Sequence, residues 1–137
     1  MGMYTELVLK CEVRDNIEDN VRAVLEFLFN DGPEPKETPD HEFFSCDRWQ
    51  MIGRCSSYYH VPFALSKYSE GHIFSRSDLK NYDNEIEKFI SWIRPYLDLG
   101  RGSSVIGWSW CEEDESPTFI HANTNRSGAE RPAGGDC

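Results

Sequence analysis

From Tyr4 to Val13 the residues alternate: Thr5, Leu7, Leu9, Cys11 and Val13 fall on one side and Glu6, Lys10 and Glu12 on the other, with Val8 the exception. A period of two predicts a strand with one buried face. The period then changes. Ile17, Val21, Val24, Leu25 and Leu28 recur at helical spacing, Asp15 and Glu18 have the spacing of a capping box, and Asn30-Asp31-Gly32-Pro33 supplies a stop. Pro33 to Asp47 carries three prolines and mixed charge, the composition of a long ordered loop that Phe43 and Phe44 would pin to the core. Trp49, Met51 and Ile52 suit a short helix or an irregular strand equally well. Phe63 to Tyr68 and His72 to Arg76 flank Ser69-Glu70-Gly71, a hairpin with a three-residue loop.

Asp83 to Leu97 is the strongest element. Ile86, Phe89, Ile90, Ile93 and Leu97 share one helical face, the mark of a helix laid on a core. Asn84 with Glu87 fits a capping box, and Asn81 is an equal candidate for the cap. Pro95 has no N–H to bond back to residue 91, so it kinks or ends the helix. Val105 to Cys111 and Thr118 to His121 then bracket the acidic turn Glu112 to Pro117, a second hairpin. The order β-α-β-β-α-β-β predicts an α+β domain over residues 3–121: a ferredoxin-like sandwich, an antiparallel sheet with two helices on one face. Residues 122–137 lack large apolar side chains and are expected to be a disordered polar tail.

Charge narrows the partners. With 24 acidic against 14 basic residues the net charge is −10, which disfavours direct binding to a nucleic-acid backbone and leaves either plain solubility or an acidic surface for a basic partner. That partner could itself hold nucleic acid in a basic groove. No run is long and apolar enough for a membrane span, and the N-terminus lacks the layout of a signal peptide, so a cytoplasmic location is expected. The five cysteines are scattered without a C-x-x-C pair and are expected as reduced thiols. His41, Cys46, Cys55 and His60 match no zinc spacing, so no metal and no cofactor are assigned.

Several pieces together carry a likeness: the MYTEL opening, Ser56-Ser57-Tyr58-Tyr59, Lys80 to Glu87, Pro95 in the helix end, and Glu112-Glu113 with Pro117-Thr118. On these the chain resembles small accessory proteins of tailed bacteriophages and prophages, over about Met3 to Ile120. That group has no established activity. The resemblance implies a setting in an infected bacterial host, where interference with an antiviral factor or nucleotide signal is one expectation and a role in DNA metabolism or assembly equally another.

Three kinds of site follow from the residues. Arg54, Ser56, Ser57, Tyr58, Tyr59 and His60 combine a guanidinium, hydroxyls and phenol rings that would hold a phosphate and stack a base, or else pack structurally. Asn81 and Tyr82 crowd the start of the second helix, where unpaired N–H groups favour anions but where capping is the ordinary use. Trp108 and Trp110 share one strand face. The preferred reading places that face, with Ile106, in the core; the other makes it an aromatic platform beside Glu112, Glu113 and Asp114. Trp92 and Tyr96 widen the helix's buried face or mark a homodimer contact. No nucleophile–base motif appears, so a non-enzymatic inhibitor of a host protein leads, ahead of a protein that sequesters a signalling nucleotide and of a small hydrolase. The hydrolase would need a cleft joining two of His60, His72, Asp83 and Glu85.

Overall fold

A computed structural model describes residues 4–53, 66–98 and 105–122. β1 (Thr5–Glu12), β2 (Lys67–Ser69), β3 (His72–Leu79), β4 (Val105–Cys111) and β5 (Thr118–His121) form one sheet in the order β2-β3-β1-β4-β5. Every adjacent pair is antiparallel. α1 (Asp19–Asn30) follows β1 and α2 (Glu85–Ile93) follows β3. The class is α+β, and each helix links two strands that have a third strand between them.

The register explains which face is covered. Leu7 pairs with Ser77 and Ser109, and Leu9 with Ser75 and Gly107, so Leu7 and Leu9 alternate with Val8 and Lys10 and point at the helices. Phe29 of α1 and Phe89 of α2 meet edge to face at 6.1 Å, which puts both helices on this same side. The loop after α1 folds into two short 3₁₀ turns, Glu42–Ser45 and Trp49–Met51. They insert Phe43, Phe44 and Trp49 against Phe89 and Trp92, with Phe43 stacked on Trp92 at 6.0 Å. The two serines on the core side of β3 leave room for backbone: Ser77 Oγ accepts from the Gly53 N–H at 3.1 Å, while Ser66 Oγ donates to the Gly53 carbonyl at 2.5 Å and meets Ser75 Oγ at 2.8 Å. Gly53 has φ +83° and a Cβ there would lie 2.7 Å from the Phe29 ring, so position and conformation both demand glycine.

Element ends differ from the simple motifs. α1 starts at Asp19, with Glu18 as N-cap making no side-chain cap bond, so the Asp15–Glu18 box does not form. Instead Ile17 is buried just before the helix, and tertiary packing sets the entry. At the other end Asp31 takes the left-handed conformation, and its N–H reaches the Glu26 carbonyl. α2 is capped by Asn81 rather than Asn84: Asn81 Oδ1 accepts from the Ile86 N–H at 2.8 Å and its Nδ2 donates to Glu87 at 3.0 Å. Pro95 ends the α-helix, which tightens into a 3₁₀ turn at Arg94–Tyr96 before Leu97 bridges to Val13. The first hairpin turns in two residues, not three, because Ser69 already pairs with His72 and both Glu70 and Gly71 have positive φ. Residues 63–65 and the tail from 123 onward lie outside the described residues.

One expectation is corrected outright. Cys11 and Cys46 are free, but Cys111 is disulfide-bonded, so the cysteines are not uniformly reduced. Among the described residues no helix is long and apolar enough to cross a membrane.

Candidate binding surface on the open sheet face

The helices cover one face of the sheet; on the other, Phe74, Arg76, Trp110 and Phe119 are exposed while Asp78 is buried. On that open face the pairing lines up Arg76, Val8, Trp108 and Phe119 across β3, β1, β4 and β5. The next row is Asp78, Glu6 and Trp110, and a third is Lys67, Phe74 and Lys10. Phe119 is 55% exposed, Phe74 49% and Trp110 38%; Trp108 is half-buried against Trp110, their rings edge to face at 6.0 Å. Large apolar side chains on water are what a folding-only design would avoid.

This overturns the preference for placing the Trp108–Trp110 face in the core. The reason lies in β4, whose inward positions are Gly107, Ser109 and Cys111: small residues fill the narrow space over β1, and the large rings go outward. Ile106 parts from them. A bulge between Val105 and Gly107 breaks the alternation, and Ile106 is buried in the core.

The acidic turn borders this surface. The Trp110 indole N–H donates to the Asp114 carbonyl at 3.0 Å, fixing the ring against the turn. Glu112 accepts from the Tyr4 backbone N–H at 2.8 Å, and Glu113 is exposed. The basic residues of the face are partly committed: Arg76 is ion-paired with Glu6, and His72 lies 2.7 Å from Glu12. The rows of this platform depend on register and could not be read from one strand at a time.

The other candidates separate from it. Asn81 spends its amide on the α2 cap, and Tyr82 is exposed with the Arg48 guanidinium 5.9 Å from its ring. Arg54, Ser56, Ser57, Tyr58, Tyr59 and His60 lie outside the described residues. Glu85 is fully buried in the first turn of α2, where the helix dipole favours a carboxylate, and accepts from the Asp83 backbone N–H at 3.1 Å. His72 instead meets Glu12, a pairing that cross-strand register creates and sequence spacing hides. Cys11, nearby, has its thiol pushed up to about 12 by burial, so it supplies no thiolate nucleophile. Among the described residues no group of three His, Cys, Asp or Glu side chains could hold a metal.

The chain matches no protein-family model, no curated protein and no solved structure.

Proposed function

We propose that the protein is a non-enzymatic binding protein of phage origin that acts in the cytoplasm of an infected bacterium. It inhibits a host defence factor by docking the open face of its sheet on a basic protein surface. The observation that carries this reading is the row Val8, Trp108 and Phe119, extended by Trp110 and Phe74 and bordered by the Glu112–Glu115 turn. Tryptophans and phenylalanines gathered beside carboxylates are the composition of a hot spot with a charged rim. The strand order β2-β3-β1-β4 with two crossing helices supports a ferredoxin-like frame, with β5 added beyond β4.

Single-stranded nucleic acid is the competing occupant, since exposed rings on a sheet also stack bases. Net charge favours the protein partner over it: the protein carries −10, and of the basic residues on the face, Arg76, Lys10 and Lys67, Arg76 is ion-paired with Glu6. The test is capture from bacterial lysate on immobilised wild-type protein and on the Trp110→Ala/Phe119→Ala variant, followed by titration of the purified partner. One dominant basic protein, bound by the wild type and lost from the variant, is expected. Equal recovery on both, or capture of nucleic acid in its place, would overturn the assignment.

A further inference from the structure

A second concavity lies in the helical layer, away from the open sheet face. It is a cavity of about 250 Å³ between the start of α1, the Pro39–His41 segment and the end of α2. That volume suits a side chain rather than a nucleotide. Trp92 and Tyr96 line it, their ring centroids 5.9 Å apart and the planes tilted by 57°, together with the acidic residues Glu18 and Asp40 and two prolines. Glu18 is an N-cap whose side chain makes no cap bond, so its charge is not spent on the helix. Burial and then the Glu18 charge push the Tyr96 phenol up, which places that carboxylate in electrical reach of the ring.

We propose that this cavity binds an organic cation of side-chain size, a guanidinium or an alkylammonium group. Two aromatic residues and two acidic residues around one cavity are the surroundings such a group selects. No lysine or arginine is among the described lining residues to neutralise them. The α1 N-terminus offers about half a positive charge, against two full negative ones, so the balance still favours a cation. His41 turns its Nδ1 to the Phe43 N–H, accepting from it at 3.0 Å. A separate observation points the same way. Trp92 is 3% exposed and its indole N–H has no hydrogen-bond partner, a donor left for an acceptor such as the amide carbonyl that accompanies an arginine or lysine side chain.

The experiment follows the Trp92 indole signal in proton–nitrogen correlation spectra, assigned by its loss in Trp92→Phe, at fixed ionic strength. N-acetyl-arginine amide and N-acetyl-lysine amide are titrated, with N-acetyl-glutamate amide as the anionic control. A saturable shift with either cation and none with the anion is expected, and the stronger of the two cations identifies the head group. Glu18→Gln and Asp40→Asn should each weaken binding by about fivefold. No saturable shift up to about 50 mM, an equal response to the anion, or unchanged affinity in both variants would overturn the proposal. Its failure would leave the reading of the open sheet face untouched, since that rests on a different layer.

Discussion

A methyl group added at Gly107 would fall inside the carbonyl of Val8, on the strand alongside. Backbone cannot yield there without breaking the β1–β4 ladder, so Gly107→Ala is expected to cost on the order of 3 kcal/mol, seen as a lower urea midpoint at unchanged slope. Cys11 gives a pH signature instead. Its thiol moves from an ordinary 9.0 up to about 12 because burial penalises the thiolate. Below pH 9 both folded and unfolded chains keep the proton; between about 9 and 12 only the unfolded chain releases it, so stability falls as pH rises through that window. Cys11→Ala should flatten that decline in denaturation curves measured across the alkaline range. Neither effect was legible in the sequence. The crowding at Gly107 comes from a bulge and a neighbouring strand, and the Cys11 environment from elements far along the chain.

The β2–β3 turn shows what can be improved at the level of an element. Glu70 holds φ 52° and Gly71 φ 79°, the paired left-handed conformation of a tight hairpin, which glutamate adopts reluctantly. Glu70→Asn should therefore raise the melting temperature by roughly 1–3 °C, checked by calorimetry. Strands and helices were readable here because their periods of two and 3.6 follow from burial of one face, and α2 kept its stripe of Ile86, Phe89, Ile90 and Ile93 intact. Caps were less readable. Several Asn and Asp side chains compete near each helix end, and the winner at α2, Asn81, is chosen by a bond to Ile86 and by the reach of Glu87.

For the whole molecule, the arrangement of β4 inverts the usual rule that large apolar residues face inward. Trp108 and Trp110 could be assigned to one face from their spacing, yet which face met water depended on helices packed elsewhere. Once a partner is in hand, Trp110→Ala should weaken it by on the order of 2 kcal/mol, about thirtyfold, chiefly through faster dissociation. Raising salt from about 0.05 to about 0.5 M should slow association, as expected for an acidic rim meeting a basic surface. Stopped-flow measurement separates the two. The serine bridge on β3 has a different consequence. Gly53 and Ser66 are tied to each other and to the same strand, so two positions 13 apart in sequence share a single fixed foothold on β3.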